Sequence, residues 1–212
     1  MRRAPDFSLY LVTDRRLAAP RTIEGVVAAA VRGGVTAVQL REKDCSTREF
    51  VEVARKLKET LAPLAVPLII NDRADVALAM GADGVHVGQS DMHCRDLRRL
   101  LGPHAIVGLS VETPEQAERA ASLPVDYLAV GPIFSSPTKP DAAPAWGLEK
   151  LSELRRHTSQ ILVAIGGIHA GNAREVIAAG ANGIAVVSAI CAATDPEQAA
   201  RDLRREISRR TF

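Results

Sequence analysis

The chain has 212 residues, 47% of them hydrophobic and 25% charged, with a formal net charge of +2. That is enough sequence for a full globular core, and the near-neutral, evenly spread charge carries no mark of a nucleic-acid binder. No stretch has the length and apolarity of a membrane span, and Arg2-Arg3 lead into no signal-like apolar run.

In chain order, eight short apolar runs read as strands: Leu9–Thr13, Val35–Leu40, Leu68–Asn71, Gly84–Val87, Ile106–Leu109, Val125–Val130, Ile161–Ile165 and Gly183–Val187. None alternates cleanly with polar residues, as expected of parallel strands buried on both faces. Helical stretches follow them, near 22–32, 47–61, 74–80, 92–101, 114–121, 147–156, 170–179 and 195–208. Thr113-Pro114-Glu115 and Asp195-Pro196-Glu197 carry start signals, with Pro at the first helical position and acid in the first turn. The last helix gathers Arg201, Arg204, Arg205, Arg209 and Arg210, but Asp202 and Glu206 interleave with them, the pattern of a solvated outer face.

An internal echo supports a repeated unit. Residues 79–87 (AMGADGVHV) are repeated at 178–186 (AAGANGIAV) and more loosely at 32–40 (RGGVTAVQL). Gly33, Gly81 and Gly180 fall near whole multiples of roughly 25 residues, the length of one strand–helix unit, and each is expected to end a helix in the left-handed conformation. Eight such units fill the chain. The fold class is α/β: a single (β/α)8 TIM barrel over residues 1–212, with an open doubly wound sheet as the second choice.

In such a barrel the chemistry gathers where strands end at their carboxyl side. Asn71-Asp72 follow the third strand and Gln89-Ser90-Asp91 the fourth. Each acid could simply cap the next helix, but two at equivalent ends of consecutive strands favour a magnesium site, since that ion takes one or two carboxylates with waters and phosphate oxygens. After the second strand, alternation puts Gln39, Arg41 and Lys43 on one side, facing the barrel mouth. Ser110 follows the fifth strand. After the sixth comes a long Pro- and hydroxyl-rich loop, 131–139, ending in Lys139. Gly166-Gly167 and Val187-Ser188 close the last two strands, where barrels of this kind recurrently hold phosphate and where glycine lets backbone N–H groups approach an anion. Two anion sites follow. The charge on the first, a metal with Arg41, Lys43 and Lys139, suits a diphosphate; the second suits a phosphorylated co-substrate.

The set QLREK (39–43), NDR (71–73), GADGVHVGQSD (81–91), GLS (108–110), GPIF-x-S-x-TK (131–139), AIGGI (164–168) and VVSAI (186–190) resembles the thiamin phosphate synthase family over nearly the whole chain. The resemblance implies a transferase that joins hydroxymethylpyrimidine diphosphate to a thiazole phosphate, releasing diphosphate by a dissociative, magnesium-assisted substitution. It implies Asp72 and Asp91 as Mg2+ ligands. It puts Gln39, Arg41, Lys43, Asn71, Ser110 and Lys139 on the pyrimidine diphosphate, with Arg41, Lys43, Ser110 and Lys139 nearest the chemistry. Ser136, Thr138, Gly167, Val187 and Ser188 fall to the thiazole phosphate.

No catalytic triad is needed, because the attacking thiazole nitrogen carries no proton, and His86, His93, His104, His157 and His169 form none. Ser136 stands where the family usually has Thr, and Glu112 and His169 also depart from its pattern. The rivals are a thiazole tautomerase-like isomerase on the same barrel and a non-catalytic, ligand-binding regulator; retention of Asp91, Thr138 and Lys139 argues against the first. The implied partners are small phosphorylated molecules, with no nucleic acid and no membrane, and homo-oligomer assembly stays open. Cys45, Cys94 and Cys191 are odd in number and lack metal or redox spacing, in keeping with a cytoplasmic setting.

Overall fold

A computed structural model describes residues 5–135 and 144–208. Eight parallel strands close into a barrel in sequence order, β1 pairing with β8. The elements are β1 (Leu9–Val12), α1 (Arg15–Ala18), α2 (Ile23–Arg32), β2 (Ala37–Leu40), α3 (Thr47–Leu61), β3 (Leu68–Asn71), α4 (Ala74–Met80), β4 (Gly84–Val87), α5 (Cys94–Leu101), β5 (Ile106–Val111), α6 (Pro114–Ala120), β6 (Tyr127–Val130), α7 (Gly147–His157), β7 (Leu162–Ile165), α8 (Ala173–Ala178), β8 (Gly183–Val186), α9 (Ser188–Cys191) and α10 (Pro196–Ser208). The short α1 and α9 were not expected from the sequence. Both follow their strands at once and are only 4 residues long, too short for an apolar period to register.

Local chemistry explains the helix starts. Thr22, Ser46 and Thr113 each accept an N–H of the first turn on their hydroxyl oxygens, from Gly25, Glu49 and Gln116. Asp195 does the same for Gln198 at 3.0 Å. On α3, the buried residues Phe50, Val53, Ala54, Leu57 and Leu61 form one stripe against the sheet. Each large side chain there stabilises the shell by roughly 1.5–3 kcal/mol relative to exposure. A second, smaller core fills the barrel itself, built on Phe7, Tyr10, Ile69, Ile106, Tyr127 and Val163.

The echo in the sequence has a structural counterpart at the amino end of the barrel. The residue just before each even-numbered strand bonds the N–H of the first or second residue of the preceding odd strand. Thr36 Oγ1 accepts from Leu9 N at 3.1 Å, Asp83 Oδ2 from Leu68 N at 2.9 Å, Asp126 Oδ2 from Val107 N at 2.7 Å and Asn182 Oδ1 from Leu162 N at 2.9 Å. Three of these oxygens also take a cation from a neighbouring helix: Lys58 on Asp83, Arg98 on Asp126 and Arg155 on Asn182. The clasps tie strands together in pairs at the bottom of the barrel.

This register corrects one glycine assignment. Gly81 (φ 63°) and Gly180 (φ 106°) are left-handed as expected, but the matching position in the first copy is Gly34 (φ 106°), not Gly33. Gly33 has φ −79°. It is glycine for a steric reason: a Cβ there would lie 2.3 Å from the Glu197 carbonyl oxygen and 2.6 Å from Ala200 Cβ, where α2 meets α10.

Candidate active site

At the carboxyl end of β2, Gln39 is buried inside the barrel and Arg41 follows on the same side. The β1 and β2 loops are laced together: Thr13 N donates to Gln39 O at 2.9 Å, and Arg41 N to Thr13 Oγ1 at 3.0 Å. Arg15 grips the nearly buried Glu42 with two hydrogen bonds, at 3.0 and 3.1 Å, and Arg16 reaches Asp44 at 2.7 Å. These pairs hold the 41–46 loop over an open depression of about 550 Å³ whose lining includes Arg15, Arg41, Glu42, Lys43 and Glu49. Arg41 is only loosely engaged, 3.9 Å from Asp14.

Lys43 Nζ lies 2.7 Å from Asp72 Oδ2, which brings the second- and third-strand residues together. Asn71 ends β3 in a buried position. Asp72 has φ 62°, a left-handed conformation unusual for a residue with a side chain. Such strain, of order 1–3 kcal/mol, persists where surrounding bonds over-determine it. Here Asp72 N donates to His86 O at 2.8 Å, and Arg73 N to Asn71 O at 2.7 Å.

Neither acid caps a helix. Arg73 precedes α4 without a capping bond, and His93 occupies that position before α5, its Nδ1 accepting from Arg95 N at 3.3 Å. Asp91 instead folds its carboxylate back onto Gly88 N at 2.8 Å, in the turn after β4. Both carboxylates are thus free of helix capping, and Asp91 is exposed. Among the described residues no group of three or more His, Cys, Asp or Glu could hold a metal. Two carboxylates with open sides nevertheless match the donor set of magnesium, which keeps waters and takes substrate phosphate oxygens.

Ser110 lies within β5, which runs on to Val111, and not in the loop after it as the sequence suggested. Its hydroxyl is 2.8 Å from His86 Nε2. Sequence reasoning left His86 unused; the structure buries it inside the barrel. His86 Nδ1 lies 2.9 Å from Tyr127 Oη, Tyr127 Oη 2.9 Å from Tyr10 Oη, and Tyr10 Oη 3.0 Å from Gln39 Nε2. Burial pushes the imidazole pKa down to about 4, against an opposing pull from the Asp91 charge. Burial also raises both tyrosines, so at neutral pH all three side chains are uncharged. Tyr127 has room only because residue 108 is glycine: a Cβ there would lie 2.2 Å from Tyr127 Cζ. The signal was present in the sequence, since Gln39 and His86 occupy the same place in two copies of the echo.

At the far side of the mouth, Gly166 (φ 100°) and Gly167 (φ 66°) bend the chain after β7. A Cβ on them would strike Pro132 at 2.6 Å and Phe134 at 2.7 Å respectively. The start of the β6 loop packs here, with Ile133 N on Ile165 O at 2.8 Å and Phe134 N on Gly166 O at 3.1 Å. Both glycines therefore serve turn and packing, whatever else their amides bind. Val187 and Ser188 begin α9 beside them, β7 and β8 being paired neighbours. Ser136, Thr138 and Lys139 lie outside the described residues.

Fold and mouth together define a parallel (β/α)8 barrel with carboxylates and cations at the carboxyl ends of β2, β3 and β4 and a glycine turn after β7. The sequence profile of the thiamine monophosphate synthase family matches residues 9–190, and the chain belongs to that family. It is 62% identical over 199 residues to a thiamine-phosphate synthase of Albidiferax ferrireducens, covering 94% of this chain and 91% of that protein. A thiamine-phosphate synthase of Xanthobacter autotrophicus is 53% identical, covering 94% of each. A solved thiamine phosphate pyrophosphorylase from Pyrococcus furiosus superposes with a TM-score of 0.89 at 38% identity, covering 97% of each chain.

Proposed function

We propose that the chain, with residues 1–212 as one catalytic barrel, joins hydroxymethylpyrimidine diphosphate to thiazole phosphate, forming thiamine phosphate and diphosphate. The observation that supports this reading is the pairing of Asp72 with Lys43 at 2.7 Å, with neither Asp72 nor Asp91 capping a helix, in a member of this family. Gln39, Asn71 and Ser110 would orient the pyrimidine, and Arg41, Lys43 and Lys139 its diphosphate. Ser136, Thr138, Gly167, Val187 and Ser188 would take the thiazole phosphate. Magnesium held by Asp72 and Asp91, when bound, neutralises charge on the departing diphosphate.

The side chains supply positioning and fixed charge. Lys43 and Arg41 meet the negative charge that grows as the carbon–oxygen bond to diphosphate breaks. The exocyclic methylene carbon then takes the thiazole nitrogen's electron pair, and no proton moves at that nitrogen. Aligning the two substrates in one mouth converts a bimolecular step into an effectively unimolecular one.

Among the described residues no helix is long and apolar enough to cross a membrane; a cytoplasmic setting is part of the proposal. Asp91→Ala tests the reading. It should cut turnover at least 100-fold, the scale for loss of a charge-stabilising group, while thiazole phosphate affinity by calorimetry stays within about twofold. Equal losses in both quantities would refute the assignment of Asp91 to the diphosphate side.

A further inference from the structure

The buried polar chain inside the barrel has a direction, and one group sets it. An amide Nε2 only donates. Gln39 Nε2 therefore gives a hydrogen to Tyr10 Oη, whose own proton goes to its other partner, Tyr127 Oη. Tyr127 Oη now accepts, so its proton goes to His86 Nδ1. Nδ1 must be bare, and the neutral ring carries its hydrogen on Nε2. That hydrogen faces Ser110 Oγ. Ser110 thus accepts from inside the barrel, and its hydroxyl proton is left for the mouth.

We propose that Gln39, Tyr10, Tyr127, His86 and Ser110 form a one-way hydrogen-bond relay that fixes Ser110 as a donor toward the pyrimidine substrate, with Tyr10, Tyr127 and His86 as positioning residues. The proposal rests on the assignment of Gln39 and Ser110 to the pyrimidine side made above. Three features beyond the bonds support it. Tyr10 and Tyr127 are fully enclosed, so no solvent competes for their hydroxyls. The Tyr127 ring is wedged among Phe7, Tyr10 and His86, with centroids 4.4, 5.8 and 5.6 Å away. The relay spans β2, β1, β6, β4 and β5, joining two of the residues assigned to the pyrimidine, Gln39 and Ser110, across the barrel. Chains of hydrogen bonds in a low-dielectric interior polarise one another, so removing a middle member is felt at the end.

The test combines 15N NMR of histidine-labelled protein without substrate and steady-state kinetics of Tyr127→Phe and Tyr10→Phe. The wild-type His86 ring should show the neutral tautomer protonated at Nε2. Tyr127→Phe should move it toward a tautomer mixture, since Nδ1 loses its donor. Both variants should lower kcat/KM for the pyrimidine diphosphate about 3- to 10-fold, the worth of one hydrogen bond, with KM for thiazole phosphate unchanged. A wild-type ring protonated at Nδ1 overturns the direction. Variants that lose stability but keep tautomer and pyrimidine kinetics overturn the relay and leave a merely structural network. If Tyr127→Phe does not fold, Tyr10→Phe decides the kinetic arm. Because the tautomer is read without substrate, failure of the proposed reaction and failure of the relay are told apart.

Discussion

Gly108→Ala is the sharpest probe of how the barrel interior sets up its mouth. An added Cβ would stand 2.2 Å from Tyr127 Cζ, 2.4 Å from its Oη and 2.5 Å from Cε1, all well inside contact distance. The ring is fully buried among other rings and cannot swing into open space. Overpacking of this kind costs about 1–3 kcal/mol. Displacing Oη also breaks its bonds to Tyr10 and His86, each worth about 0.5–1.5 kcal/mol. The expected loss is about 2–6 kcal/mol. With a urea slope of about 2 kcal/mol per molar, the unfolding midpoint should drop by about 1–3 M. Gly81→Ala is the control: its left-handed φ of 63° is strained for alanine, but a Cβ there meets nothing within 4 Å. It should cost only about 1–2 kcal/mol. A Gly108→Ala midpoint no lower than that of Gly81→Ala would refute the steric argument and the fixed place of Tyr127.

Other outcomes follow from the same geometry. Asp83→Ala strips the partner from Leu68 N and should cost about 1–3 kcal/mol in urea unfolding. Asp83→Asn should cost clearly less, since Asn182 fills the equivalent clasp in the last repeat. The pH dependence of stability should carry a His86 component. The unfolded imidazole binds a proton near pH 6.5, the folded one only near 4, so stability is full above about 6.5 and falls as pH drops toward 4. That difference amounts to about 3 kcal/mol. His86→Gln should flatten the slope between pH 6.5 and 4, and an unchanged slope would contradict the assignment.

The eight strands were legible to within two residues at each end, because parallel strands buried on both faces leave continuous apolar runs bounded by glycine and acid. The same burial hid the polar interior. Along GVHV, both neighbours of His86 are apolar, so nothing in the local pattern says which face is inside the barrel; only closure decides it. The echo was visible, but its register was off by one at Gly33, because a steric demand from α10 placed a second glycine beside the left-handed one. Asp72 and Asp91 could be read as caps or as ligands from sequence alone. The structure removes the cap reading by placing Arg73 and His93 at those positions. Arg15 and Glu42, which clip two loops together across 27 residues of sequence, have no local signature at all.

The central claim is tested most directly by 31P NMR of the pure protein mixed with hydroxymethylpyrimidine diphosphate, thiazole phosphate and magnesium, with and without EDTA. Thiamine phosphate and diphosphate should appear in equal amounts, stop when EDTA removes the metal and resume when magnesium is restored. Folded protein that makes neither product, or that only converts one thiazole phosphate isomer into another, would contradict the account.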